Sequence, residues 1–271
     1  MKSKNGRTKY RALPLILIQF FLLCSGCGRQ EPSQADQSEG GIGQEAGGPT
    51  VTTVLSSEEA AVQHAAKAPL LEWEDPKTEN LAGMLQEVCG GMMVRLTTGR
   101  YVGSGIIYSE EENYLVIVTA AHVLSDAADG VQIAFVDGWT TKAEEFSVSE
   151  LADLAVVRIP LAEIPRDRLE KYLLANVDKS SYEGIQVGDG CIVMGSKSGV
   201  AEDAYEGTLL EPWIYMEDYG QYMIWVSAPG KPGMSGGGLF DRQGHLLGIL
   251  SGRSEDGEWA VVPLAMLLAE L

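Results

Sequence analysis

Basic residues are scarce in this chain: 20 Lys and Arg stand against 38 Asp and Glu in 271 residues, for a net charge of −18. A nucleic-acid surface needs a basic footprint, so that class is excluded. Cysteine is scarce as well. Four are too few for a disulfide-dense scaffold, and no zinc module is expected from them. No apolar run reaches the ~20 residues of a membrane-spanning helix. No repeat recurs at a fixed period. There is no Asp-x-Asp-x-Asp-Gly loop, so the acidity reads as a solvated surface, and no metal or cofactor is expected. What the chain does have is 45% hydrophobic residues, enough for a sizeable core in one large or two small domains. Its 32 glycines signal many turns.

The charge is unevenly spread. Lys2, Lys4, Arg7, Lys9 and Arg11 come first with no acid among them, residues 12–23 are apolar, and Ser25 and Gly26 precede Cys27. A basic head, a short apolar middle and small residues before a cut describe a secretory signal peptide over residues 1–26. Ser25-Gly26-Cys27 resembles the lipobox of bacterial lipoproteins, with Cys24 standing where that motif usually has Leu. The resemblance implies that Cys27 is diacylated and becomes the new N-terminus, which provides the two chains that stable anchoring needs. The alternative is an ordinary cut near Gly26 or Gly28 and a secreted protein. Without residues 1–26, 15 basic and 38 acidic side chains remain, a net of −23. An anionic bilayer repels such a surface, so the protein is expected to hang from its lipid on the extracytoplasmic side.

Residues 27–80 read as a flexible acidic tether. The polar, Gly-rich stretch 28–57 cannot offset its ordering entropy. Its thirty residues span roughly 30 Å root-mean-square. One short helix is expected over residues 58–67. His64 and His245 read as solvated surface residues. From Leu81 onward, short apolar runs recur between Gly, Asp, Asn and Ser. Strands are expected at residues 92–96, 105–108, 114–118, 131–135, 154–159, 191–194, 221–226, 246–250 and 259–262. That pattern predicts an all-β barrel or sandwich. A helix is expected from Pro263, which suits a first helical position.

Three segments carry chemistry. Thr119-Ala120-Ala121-His122 ends a strand with an imidazole. Ala152-Asp153-Leu154 opens a strand with a carboxylate. Gly233-Met234-Ser235-Gly236-Gly237 sets a hydroxyl among glycines. A Ser hydroxyl is a poor nucleophile near neutral pH. It needs a base within hydrogen-bond reach, and the base needs a carboxylate to fix its tautomer. The glycines let main-chain N–H groups face a developing oxyanion.

These segments, with Gly103-Ser104-Gly105-Ile106-Ile107 and Gly244-His245-Leu246-Leu247-Gly248-Ile249, resemble the trypsin/chymotrypsin-like serine proteases, and among them the HtrA-like bacterial branch. Order and spacing fit over about residues 90–265. The resemblance implies two six-stranded antiparallel β-barrels, residues 81–180 and 181–271, with a short C-terminal helix and the site in the cleft between the barrels. It implies His122 as base, Asp153 as its orienting partner and Ser235 as nucleophile, with the N–H groups of Gly233 and Ser235 as oxyanion hole. It also implies that residues 227–232 and Ser251, Gly252 and Arg253 line the substrate pocket, with a polypeptide as substrate. Arg253 is the one candidate for favouring an acidic substrate residue.

Three departures stand out. Met234 stands where the family usually has Asp or Asn, and Gly238 where it often has Pro. Only 36 residues follow Ser235, so no C-terminal PDZ domain is expected. The implied function is a membrane-tethered serine endopeptidase. The alternative is a catalytically silent, protease-like binding or sensor domain. Gly233-x-Ser235-x-Gly237 also fits the nucleophile elbow of α/β-hydrolases, but Gly236-Gly237-Gly238 is a poor helix start. Pairing of Cys89 with Cys191 is open. Trp213, Tyr215, Tyr219, Tyr222 and Trp225 form an aromatic cluster that either packs strands or rims a substrate site.

Overall fold

Register decides where the chemistry goes in this chain. The computed structural model describes residues 65–72, 80–196 and 202–270. The expected signal peptide, Cys27 and most of the expected tether lie outside them. Residues 65–72, within the expected tether, are joined to the body instead, where the Ala68 and Leu71 amides donate to the Leu174 and Gln243 carbonyls. Ala66–Lys67 (β1) is a strand rather than the end of a helix, and it pairs in parallel with Leu173–Leu174.

The first half holds helix α1 (Leu81–Cys89), then β2 (Met93–Thr98), β3 (Tyr101–Glu111), β4 (Tyr114–Thr119), β5 (Val131–Phe135), β6 (Thr140–Ala143), β7 (Glu145–Val148) and β8 (Ala155–Pro160). A connection comes next, with α2 (Arg166–Leu169), β9 (Leu173–Leu174) and α3 (Lys179–Glu183). The second half holds β10 (Gly190–Ser196), β11 (Glu202–Met216), β12 (Gln221–Ser227), β13 (Gly238–Phe240), β14 (Leu246–Arg253) and β15 (Glu258–Pro263). It ends in α4 (Leu264–Glu270). The C-terminal helix is as expected, one residue later, because Pro263 still pairs with Gly248 as the last residue of β15.

The second half closes as a six-stranded barrel in the order β10-β11-β12-β15-β14-β13. The first half is a seven-stranded antiparallel sheet, β6-β5-β2-β3-β4-β8-β7, rather than a six-stranded closed ladder. Its two edge strands are consecutive in the chain, separated by Glu144 alone. The sheet therefore curls until one bent strand serves both edges. Sequence patterning does not disclose that strand because β6 and β7 are short and polar.

The long apolar runs have a physical reason. Side chains alternate across a strand, and these strands are buried on both faces. Leu115 and Ile117 of β4 point into the first barrel, while Val116 and Val118 point into a seam between the two halves. Cys191 and Val193 of β10 fill the second barrel, while Ile192 and Met194 fill the seam. Helices α1 and α4 cover that seam with Leu85, Leu264 and Leu267, all fully buried.

Candidate active site

Strand pairing brings His122 to Asp153. Strands β4 and β8 are antiparallel, and their last matched pair is Thr119 with Ala155. His122 lies three residues past Thr119, on a short 3-10 turn (Ala121–Leu124). Asp153 lies two residues before Ala155. The two side chains therefore leave the same end of the same strand pair. His122 Nδ1 is 2.9 Å from Asp153 Oδ2, and the His122 amide donates to Asp153 Oδ1, also at 2.9 Å. A proton on Nδ1 leaves Nε2 as the basic nitrogen.

Asp153 has a third partner. The Ser251 hydroxyl donates to Oδ2. In the β14–β15 ladder Leu250 faces Val261 and Gly252 faces Ala260, so Ser251 is an extra, bulged residue whose side chain is re-aimed. The Ser251 side chain is therefore turned to the carboxylate. Burial works against the charge on Asp153. Bonds from the His122 ring, the imidazole charge, the Ser251 hydroxyl and the His122 amide outweigh it, and the carboxyl is held below its ordinary range.

Ser235 lies on the loop between β12 and β13, half-buried. Ser104 of β3, fully buried, fastens that loop to the first barrel. Its amide donates to the Ser235 carbonyl at 2.7 Å and its hydroxyl donates to the Gly233 carbonyl at 2.7 Å. The same hydroxyl accepts from Ser196 N–H at 2.8 Å, and the Ser104 carbonyl accepts from Thr119 Oγ1 at 2.7 Å. Gly236, at φ 84°, lies so close to the Ser104 carbonyl and Thr119 hydroxyl that a Cβ there would overlap both. The loop is thus seated against the segment that leads to His122. No hydrogen bond joins Ser235 Oγ to His122 among the described residues. Such bonds commonly tighten only when substrate arrives.

The predicted oxyanion donors are free to act. Among the described residues, neither Gly233 N–H nor Ser235 N–H has a partner, whereas Met234 N–H, Gly236 N–H and Gly237 N–H are bonded within the fold. Gly233 takes φ 94°, a left-handed value that L side chains rarely adopt.

Met234, where the family has a polar residue, is fully buried in the second barrel's core. Its sulfur accepts from the Lys231 amide at 3.3 Å, and Lys231 Nζ meets Asp203 at 2.6 Å. The loop's start is therefore held by apolar packing and one ion pair. In the expected pocket wall, Gly230 presses on the Trp259 indole, which donates to the Pro229 carbonyl at 3.3 Å. Arg253 is exposed, with its guanidinium against the turn at Gly257. No group of His, Cys, Asp and Glu suited to a metal occurs among the described residues.

Away from the cleft, Cys89 and Cys191 are buried and unpaired. Burial pushes their thiols up to about 11 and about 12, with Asp241 and Asp189 adding to it. His245 is no surface residue. Its Nδ1 meets Asp241 Oδ2 at 2.7 Å and the Ser181 hydroxyl at 3.1 Å, which ties α3 to the β13–β14 turn. The aromatic cluster splits. Trp225 is half-buried and packs on the seam core, while Trp213, Tyr215, Tyr219 and Tyr222 are exposed on the β11–β12 hairpin.

Known proteins resemble this chain in sequence and in fold. The family profile of the trypsin-like peptidase domain matches residues 103–249, more than half of the chain. The serine protease Do-like HtrA of Lactobacillus helveticus is 29% identical over 163 residues, which cover 57% of this chain and 37% of that protein. The HtrA-like serine protease of Staphylococcus aureus (strain USA300) is 26% identical over 174 residues, or 56% of this chain and 20% of that protein. The chain thus spans well under half the length of these relatives. Among solved structures, the HtrA-type protease AlgW with a tripeptide is 26% identical at a TM-score of 0.56, over 69% of this chain and 61% of that one. The inactive form of Rv3671c from M. tuberculosis, at 21% identity and a TM-score of 0.55, shares the fold.

Proposed function

This chain belongs to the trypsin-like peptidase family, in its HtrA-like branch, and on that premise we propose that it is a serine endopeptidase tethered to the outer face of a cell membrane. The observation that carries the reading is the doubly bonded His122–Asp153 pair beside a serine loop with two unpaired N–H groups.

The residues divide the chemistry. His122 Nε2 takes the proton as Ser235 Oγ attacks the scissile carbonyl carbon. Gly233 N–H and Ser235 N–H stabilise the oxyanion. The proton on Nε2 then goes to the leaving amine as the C–N bond breaks, which leaves an acyl ester on Ser235. Water, deprotonated by the same nitrogen, hydrolyses that ester. Asp153 stays ionised, holds the proton on Nδ1 and offsets the imidazolium charge. The substrate is a polypeptide chain, and the reaction calls for no cofactor.

Cleavage of an unstructured protein, followed by zymography and by peptide-library profiling, tests the reading. Wild type should cut peptide bonds, and Ser235→Ala should lose on the order of a million-fold in turnover. Equal activity in both would sink it. Inert wild type with a folded cleft would favour the silent binding domain. The tether rests on the Ser25-Gly26-Cys27 resemblance. Cys27→Ser should leave the membrane fraction, and a variant that stays bound would overturn the lipid anchor.

A further inference from the structure

We infer that Tyr219, at the tip of the β11–β12 hairpin, walls the subsite for the second residue upstream of the scissile bond and admits only a small side chain there. The inference rests on the protease reading of the site.

The hairpin is built to reach the cleft. Strand β11 runs for 15 residues and breaks register twice, between Leu209 and Glu211 and between Glu211 and Ile214, which bends it. Beyond the matched pair Met216 and Gln221 the chain turns through residues 217–220. The Tyr219 and Gly220 amides donate to the Met216 carbonyl at 3.1 and 2.9 Å. Stacking of Trp213 on Tyr222 at 5.2 Å, with Tyr215 edge-on to Tyr222 at 5.3 Å, stiffens the two strands behind the tip.

The tip reaches the His122–Asp153 pair. The Tyr219 hydroxyl lies beside Ser251, in the field of Asp153. It also lies over Gly252, so closely that a Cβ at residue 252 would overlap it, while the ring carbon Cζ would stay 3.4 Å away, at ordinary contact. Gly252 and Tyr219 therefore fit as a pair. The tyrosine fills, from the hairpin tip, the space that a side chain at residue 252 would take.

The open edge of β14 gives that space a purpose. Strand β13 pairs with β14 only as far as Ile249, and Leu250 bonds Gly237. Among the described residues, nothing pairs with the other edge of residues 251–253, next to the Ser235 loop. A polypeptide added to that edge alternates its side chains. The residue that supplies the scissile carbonyl turns towards loop 228–232. Its upstream neighbour turns the other way, towards His122 and the Tyr219 ring. Tyr219 is 38% exposed, a wall that substrate can touch.

The test combines peptide profiling with a double-mutant cycle. Wild type should prefer Gly, Ala or Ser at the upstream position. Tyr219→Ala should raise kcat/KM for Leu or Phe relative to Ala there by about tenfold or more. Gly252→Ala should lose about tenfold in kcat/KM, and Tyr219→Phe, which removes only the overlapping oxygen, should restore it to within about threefold. Melting temperatures confirm that each variant folds. An unchanged upstream profile in Tyr219→Ala, or a Gly252→Ala defect that Tyr219→Phe leaves intact, would overturn the subsite while Ser235 still cleaves. A wild type that cleaves nothing would overturn the protease reading itself.

Discussion

The two sides of the cleft are made differently. The His122–Asp153 side comes from one antiparallel ladder: fix Thr119 opposite Ala155 and the pair must meet. The Ser235 side has no ladder of its own. Its loop is held by Ser104 from the other barrel, by Met234 in the core beneath and by Lys231 on Asp203. A base and its carboxylate can thus be placed by strand register, whereas a nucleophile on a loop needs long-range fastenings.

Three changes sharpen the contrast. Asp153→Asn spares the ladder but loses the charge and the correct tautomer, and turnover should fall about ten-thousand-fold. The same variant reports on acid stability. A carboxyl held below its ordinary pKa stabilises the fold above about pH 4, and that contribution is lost as pH falls through the lowered value. Asp153→Asn should therefore melt with a weaker pH dependence in the acid range than wild type. An unchanged acid profile would mean that the carboxyl is not held down.

Ser104→Ala breaks the fastening and not the ladder. It strips the Gly233 carbonyl of its hydroxyl donor, at a cost of about 1–3 kcal/mol for a group left unpaired, and takes one acceptor from the Ser196 amide. Catalysis should fall some ten- to a hundred-fold at temperatures where the protein is still folded. Wild-type kcat would show that the loop holds itself. The smallest effect belongs to Met234→Leu. A volume-conserving apolar swap should cost under about 1.5 kcal/mol and change kcat only a few-fold, because the position acts by packing. A collapse of activity there would mean that the sulfur's bond to Lys231 does more than fill space.

The same division governs what the sequence discloses. His122, Asp153, Ser235 and Gly233 are legible because each sits in a short motif with a local cause. The Ser104 hydroxyl and the Gly233 carbonyl it bonds are 129 residues apart, and Ser251 reaches Asp153 across 98. No local pattern announces either, although Gly103-Ser104-Gly105 hints that residue 104 is special. The bulge that re-aims the Ser251 side chain is invisible in an apolar run. His245 resembles a turn residue because its partner Ser181 lies in a separate helix. Strand β11 is hidden for a related reason: Gly207 and Pro212 interrupt its pattern, yet Gly207 keeps its place opposite Cys191 and Pro212 falls in the second of two bulges.

The most direct measurement of the central claim is the mass of the protein after exposure to a fluorophosphonate, with the modified residue mapped by peptide fragmentation. A single phosphonyl adduct on Ser235, absent in Ser235→Ala and formed far more slowly in Asp153→Asn, is the predicted result. An adduct on a different serine, or one on Ser235 at the same rate with and without the Asp153 charge, would contradict it.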